Sequence, residues 1–408
     1  MIEVRIGEAA SYAAAGVNID AGDDLSQIWN NAGQQTYANR AGRLGQLSSW
    51  GVGFTGYRGI DLDLLQGKLG LDLVGGVDGV GTKPELAERA TERRRMQGYV
   101  DVKEPRDHAG IPADVIAMTA DDLARDGAEP LAQFLLFDAS TLSRDDARDI
   151  TGQLAEGTIA ACKDAEVVLL NGETAELGDR VGGYGNELHY SLGGTAIGVA
   201  HRSRILDGSA VRPGQAVVAF REKGFRANGM SLVRKVLTAE FGPQWHLEDE
   251  DLAAQALRPS KIYSAAFVAL HGGYDIAREP AAHVSAIVHV TGGGLPGKLQ
   301  RKLGMTGHGA VLEDLFEPPV IMQRMQAWSM NHANKGLDTP DGSMYQTWNG
   351  GNGALVVTED PDRVVAAAAQ YGIDGRYAGE IVESPGIEVK SRGVTHTDQW
   401  IRFIPRGV

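Results

Sequence analysis

A chain of 408 residues exceeds one average domain of roughly 100–200 residues, so two domains, or three, are expected. With 43% hydrophobic and 23% charged residues it is not a disordered chain. Its 54 glycines, far above the usual ~7%, follow no period and indicate tight loops rather than collagen.

Charge and sulfur narrow the setting further. A net charge of −14 repels nucleic acid and anionic membranes. No apolar run reaches the ~18 residues of a membrane span, and the start MIEVRIGEAASYAAAG lacks the secretory pattern. The single cysteine, Cys162, cannot form an internal disulfide, so the chain reads as cytoplasmic and the thiol as a buried structural one.

The first 60 residues are polar and glycine-rich, mostly loop and short helix. Residues 71–77 (LDLVGGV) read as a strand running directly into the loop DGVGTK, 78–83. The densely charged interval from Glu85 to Asp107, with its run Glu92-Arg93-Arg94-Arg95, reads as a solvated helix and loop. A helix starts near Pro112 and stops at Gly127, and its stripe Ile111, Val115, Met118 continues to Asp122. A carboxylate on a buried stripe needs a cation or hydrogen-bond donors. Strands follow at 131–137, at 166–170 (leading into Asn171-Gly172-Glu173-Thr174-Ala175-Glu176) and at 192–200. The turn-rich RSRILDGSAVRPG then marks the domain boundary. Beyond it come a strand at 216–220 and a helix SLVRKVL opened by Asn228-Gly229. Strand 286–290 runs into Thr291-Gly292-Gly293-Gly294, and MYQTWNGGNGALVV closes the series. This alternation predicts an α/β or α+β enzyme and by itself permits a parallel sheet.

Two glycine patterns are discounted. Gly51-Val52-Gly53-Phe54-Thr55-Gly56 spells a dinucleotide fingerprint, yet no convincing strand precedes it. Gly292 to Lys298 spells most of a P-loop, but Leu299 replaces the magnesium-binding hydroxyl and Pro296 removes a backbone N–H. The acids carry more. Asp78 ends a strand beside glycines and Lys83, Asp122 lies on a helix stripe, and Glu173 follows an apolar strand. Carboxylates at element ends beside glycine loops suit magnesium carrying a nucleoside triphosphate. Gly79 and Gly81 shape that loop, while Thr82 and Lys83 offer a hydroxyl and a cation to phosphate oxygens.

At these same residues the chain resembles the phosphoribosylformylglycinamidine cyclo-ligase family. The likeness runs in order through SYAAAGVNIDAGD (11–23), DGVGTK, the Asp-Asp-Leu of 121–123 with GAEP (127–130), and GETAE (172–176). It continues through NGMSLVRKVL (228–237), PSKIY (259–263), HVTGGG (289–294) and MYQTWNGGNG (344–353). The resemblance implies two α/β domains of α+β type, each a mainly antiparallel sheet backed by helices. Residues 1–199 would bind ATP and residues 200–408 the substrate. It further implies a homodimer and ATP-driven ring closure of formylglycinamidine ribonucleotide in purine biosynthesis. Magnesium would sit on Asp78, Asp122 and Glu173, with potassium an open addition. Asp78, Lys83 and Asp122 would be catalytic, and Arg226, Asn228, Gly229, Thr291, Gly292 and Gly293 would line the substrate site.

The chain departs from the family at Arg226-Ala227, where His-Ser is usual, at Gly350 in place of a cysteine, and at Ser191 in place of an aspartate. No match to the family's early lysine stands in 24–45. These departures assign Arg226 to phosphate binding and leave proton transfer to water, His189 or His289. Other readings are a selenophosphate synthetase-like or thiamine-phosphate kinase-like enzyme, or a nucleotide-binding paralogue without turnover. The absence of any cysteine before Cys162 argues against the first of these.

Overall fold

The structure, a computed structural model, describes residues 1–5, 47–49, 58–62, 69–98, 106–143, 146–186, 188–248 and 251–405. The SYAAAGVNIDAGD segment, the interval 24–45 and the glycine pattern 51–56 lie outside the described residues.

In chain order the strands are β1 (Ile2–Arg5), β2 (Leu47–Ser49), β3 (Arg58–Asp61), β4 (Leu71–Gly79), β5 (Ala128–Ala139), β6 (Val168–Glu176) and β7 (Tyr190–His201). They continue with β8 (Ala216–Arg221), β9 (Val284–His289), β10 (Gly309–Leu312), β11 (Asn352–Thr358), β12 (Gly375–Val382), β13 (Gly386–Lys390) and β14 (Trp400–Ile404). The helices are α1 (Pro84–Met96), α2 (Ile111–Ala124), α3 (Ala147–Ala165), α4 (Met230–Phe241) and α5 (Leu252–Ala256). The rest are α6 (Ser264–His271), α7 (Gly294–Leu303), α8 (Val320–Met330), α9 (Asp341–Thr347) and α10 (Pro361–Gln370).

The first sheet runs β2-β3-β4-β7-β5-β6 and is antiparallel except where β5 meets β6. The second runs β1-β14-β13-β10-β12-β8-β11-β9 and is parallel only at β1–β14 and β10–β13. Both are therefore mainly antiparallel, as the resemblance implies. The parallel sheet that alternation alone permits does not form. One strand crosses the expected 1–199 and 200–408 division: β1 pairs with β14, so residues 2–5 complete the second sheet.

Helix α2 is the pivot of the fold. It packs on β4, β5 and β7 on one side and on α3 and α6 on the other. Val115, Ile116 and Met118 are buried along it, each contributing about 1.5–3 kcal/mol relative to exposure. Cys162 on α3 is buried in the same neighbourhood, and burial raises its thiol pKa, as a structural cysteine requires.

The charged interval after Lys83 is not the solvated helix expected. Helix α1 buries Leu86, Ala87, Glu88, Arg89, Ala90 and Arg93. Arg89 donates to Pro243 O at 2.9 Å, its guanidinium 3.7 Å from the Tyr184 ring centre, and Arg93 donates to His246 O at 2.8 Å. The arginines reach carbonyls of the second half with their charged ends while their stems cover apolar surface. Charge density in a sequence cannot distinguish that docking from solvation.

Candidate functional site

The two halves are joined across α2 by a pair of buried carboxylates seven residues apart, hence two turns along one face. Asp114 Oδ1 accepts from Lys83 Nζ at 2.9 Å and from Ser260 N at 3.1 Å. Lys83 also donates to Arg258 O at 2.9 Å. Asp121 Oδ1 accepts from the backbone N–H of Tyr263 at 2.9 Å and of Ser264 at 2.8 Å, and its Oδ2 takes the Arg226 guanidinium at 3.2 Å. Two acids of the first half thus grip residues 260–264 of the second.

Asp122, the next residue, turns away from that grip, and its side chain is 32% exposed. Its fixed partners, Arg125 and the Nδ1 of His289, both meet Oδ1 at 2.6 Å, which leaves Oδ2 for a ligand. Burial acts to raise the Asp122 pKa, but Arg125, His289 and Lys298 outweigh it and hold the carboxyl well below its usual range. Asp78, at the end of β4, accepts from Gly79 N at 2.7 Å. Its carboxyl is held above the ordinary value, chiefly by desolvation, with repulsion from Asp122 adding and Lys298 opposing. The two acids therefore face one space, with Lys298 as their common cation.

Lys298 lies on α7, and Lys302 one turn further fixes that helix by binding Asp126 at 2.6 Å. Burial and the nearby Arg125 push the Lys298 ammonium down to about 8. Among the described residues it has no ion pair within 4 Å, so its charge is available to a ligand.

Two helix starts lie beside these groups. The N-cap residues of α4 and α7 are Gly229 and Gly293, both in the left-handed region, and neither helix has a side-chain cap. Gly229 is required on two counts: φ is +73°, and a Cβ there would lie 2.5 Å from the Trp348 ring. Uncapped first-turn N–H groups attract anions. Thr82 Oγ1 stands 3.4 Å from Ser231 Oγ, so the 78–83 loop abuts the first turn of α4. A Cβ on Gly292 would lie 3.4 Å from Asn228 Oδ1, which brings the two glycine loops together. The Nδ2 of Asn228 is buried without a hydrogen-bond partner, a donor awaiting an acceptor.

Asp78, Gly79, Thr82, Asp122, Asn228, Gly229 and Gly292 thus lie near one another where the two halves meet, with Gly81 on the loop itself and Thr291 and Gly293 at the start of α7. Three expected residues do not join them as foreseen. Lys83 is fully buried, spent on Asp114 and Arg258 O, and does not reach phosphate. Arg226 is buried too. It donates to Glu222 Oε2 and Lys261 O at 2.9 Å each, to Asp121 and to His289 Nε2 at 2.6 Å, so it is no phosphate ligand. Glu173 sits in the row Gly79–Gly193–Leu136–Glu173, three strands from β4 and on the face opposite to Asp78. It cannot share a metal with Asp78 and Asp122 in one chain. Among the described residues no three acid, histidine or cysteine side chains form a metal cluster.

His289 is held neutral: burial and the Arg226 charge push its pKa down to about 3. His189 pairs with Glu88 at 3.0 Å. Gly350, where the family cysteine was looked for, has φ +58° and would place a Cβ 2.6 Å from the Tyr345 ring, so no larger residue fits. Sequence reasoning missed Lys298, set aside with the failed P-loop, and the Asp114–Asp121 pair. The seven-residue spacing of two aspartates in an apolar helix was the available signal for the pair.

Comparisons with known proteins come from both halves. Residues 64–200 match the family model "AIR synthase related protein, N-terminal domain", and residues 212–392 match "AIR synthase related protein, C-terminal domain". A protein of Sorangium cellulosum named phosphoribosylformylglycinamidine cyclo-ligase is 33% identical over 94% of this chain and 99% of its own length. One of the same name from Picosynechococcus is 30% identical over 92% and 98%. Among solved structures, thiamine-monophosphate kinase from Stenotrophomonas maltophilia superposes with TM-score 0.50 at 16% identity, covering 82% of this chain and 88% of that one. That likeness concerns the fold alone.

Proposed function

The chain belongs to the AIR synthase related family, and from that premise we propose that it is an ATP-dependent cyclo-ligase. It closes formylglycinamidine ribonucleotide to aminoimidazole ribonucleotide, forming a carbon–nitrogen bond and releasing ADP and phosphate in purine biosynthesis. The full-length match to relatives named for this reaction supports the substrate. The observation that carries the chemistry is the meeting of Asp78 and Asp122 with two uncapped helix N-termini and Lys298 across one cleft.

ATP phosphorylates the formyl amide oxygen, which turns a poor leaving group into phosphate. The amidine nitrogen then attacks the formyl carbon and phosphate departs as the ring closes. The first half, 1–199, carries the acids for ATP, and the second, 200–408, presents the substrate phosphate to the N-termini of α4 and α7 and to Asn228. Two carboxylates fit magnesium, which commonly takes one or two from the protein and the rest from water and phosphate oxygens. When bound, the ion neutralises charge on the transferring phosphoryl group. Lys298 supplies further positive charge on the same side. The Nε2 of His289 already accepts from Arg226, so the ring has no lone pair free to act as base. The proton lost on ring closure passes to water or to the departing phosphate. No residue is assigned to potassium.

The open face of the first sheet exposes Val77 and Leu136, and the edge strand β6 exposes Val168, Leu169 and Leu170. A second copy covers this apolar surface, giving a homodimer. The enzyme works in the cytoplasm. Among the described residues, no helix is long and apolar enough to cross a membrane. The test is ATP turnover with and without formylglycinamidine ribonucleotide. Stoichiometric ADP, phosphate and imidazole product only in its presence is expected. Turnover driven by thiamine phosphate or selenide instead would replace the reading.

A further inference from the structure

We propose that Arg226 is a positioning residue acting through His289: it fixes the imidazole as the Nδ1–H tautomer, which in turn holds Asp122 with one oxygen free for the cleft. The inference rests on the reading of Asp122 as a carboxylate of the phosphoryl site. It starts from an arginine in an unusual place. Arg226 has φ +61°, a backbone conformation few bulky residues adopt, and is fully enclosed. Four of its five N–H groups are committed, two from each terminal nitrogen: to Glu222 and the Lys261 carbonyl, and to Asp121 and His289. The Tyr263 ring packs 5.2 Å from the guanidinium centre. Held on two carboxylates, the fork cannot rotate away.

The consequence for His289 is a matter of donor counting. Arginine has no lone pair to offer, so Nε2 at 2.6 Å must be the bare nitrogen of the ring. A hydrogen on Nε2 would meet the guanidinium hydrogens head-on. The single ring hydrogen therefore sits on Nδ1, which is 2.6 Å from Asp122 Oδ1 and donates to it. Arg125 binds the same oxygen from the other side at 2.6 Å. Two donors on Oδ1 set the plane and rotation of the carboxylate, and Oδ2 is left to a cation or water at the cleft. The order is Glu222 and Asp121 gripping Arg226, Arg226 capping His289, and His289 orienting Asp122. Partners of this kind behind a metal-binding carboxylate are worth about 10–100-fold in affinity or activity.

The tautomer is read in ligand-free protein at pH 7 by long-range proton–nitrogen correlation on histidine-labelled chain, with His289→Asn identifying the resonance. The proposal expects the bare nitrogen at Nε2, and a wild-type spectrum with the bare nitrogen at Nδ1 overturns it. This measurement needs no other variant to fold. Arg226→Met combined with Asp121→Asn and Glu222→Gln removes all three buried charges together and keeps an acceptor for Tyr263 and Ser264. In it the ring loses its Nε2 donor but keeps the Nδ1–H bond to Asp122, and its resonances should broaden or split as the imidazole tilts about that single anchor. Mn2+, used as a paramagnetic probe with the protein alone, should then bind about 10–100-fold more weakly, and kcat should fall comparably with little change in the KM for ATP. A loosened ring with unchanged Mn2+ affinity and kcat refutes the positioning role. Should Asp122→Asn itself retain full turnover, the site reading fails, while the tautomer result stands apart from it.

Discussion

Helix α2 carries two kinds of aspartate whose fates diverge within one residue. Asp114 and Asp121 are buried, ringed by donors and closed to solvent. Asp122, with Asp78 beside it, faces a cleft with a free oxygen. The buried pair takes backbone N–H groups and one cation each, although burial still raises the Asp121 carboxyl to about 7. The second pair has fewer fixed donors: Asp122 takes Arg125 and His289 on one oxygen, Asp78 takes Gly79 N, and Lys298 stands near two charges that repel. Donors close the first pair into a joint between the halves and leave the second pair with an unclaimed oxygen. The number of donors separates the two roles better than burial alone.

The comparison breaks first at the cleft pair. Asp122→Asn and Asp78→Asn should each lower turnover by roughly 10²–10⁴, about 3–5 kcal/mol of transition-state stabilisation, with melting temperature nearly unchanged. Wild-type turnover at saturating magnesium in either variant would remove that residue from the site.

The buried pair should show the reverse pattern. Asp114→Ala strands the Lys83 ammonium in the interior and should cost about 3–5 kcal/mol in denaturant unfolding. Lys83→Met with Asp114→Leu removes both charges and should recover most of that loss. A double variant no more stable than the single one would show that the joint depends on charge rather than on filled volume.

Acid should loosen the frame on a predictable schedule. Burial pushes the pKa of His108 and of His271 down to about 4 each, against a usual value near 6.5. A depressed folded value means that the unfolded chain binds more protons in between. Stability is therefore complete above pH 6.5 and falls as pH drops toward 4, by at most about 1.4 kcal/mol per pH unit for each histidine. Ring NMR titration of the folded protein should find both histidines neutral at pH 5. Rings that titrate near 6.5 in the folded protein would overturn this schedule.

The smallest effect sharpens the cleft. Lys298→Ala should raise the KM for ATP or for the ribonucleotide several-fold with a lesser loss in kcat, and the affected ligand identifies which phosphate the ammonium meets. Unchanged KM for both would return Lys298 to a purely internal role.

Much of this was legible in the sequence because local signals and tertiary packing agree. The strands at 71–77, 131–137 and 216–220, the helix after Pro112 and the one after Asn228-Gly229 all form, their apolar periodicity matching a buried face. Asp78 and Asp122, singled out as carboxylates at element ends beside glycines, do lie near one another, whereas Glu173, chosen by the same rule, does not join them. Sequence by itself could not say where a long side chain ends. Lys83 and Arg226 are cations beside glycine loops, and nothing local reveals that Asp114 and Asp121 wait for them across the seam. Nor could it separate Glu173 from Asp78, since strand order and face depend on pairings between residues from Leu136 with Glu173 to Leu71 with His201, far apart in the chain. Hydrophobic period and turn chemistry act over a few residues and are written in the chain. Which cation meets which carboxylate is decided only when the two halves close on α2, because a buried charge takes whatever partner the packing brings within about 3 Å.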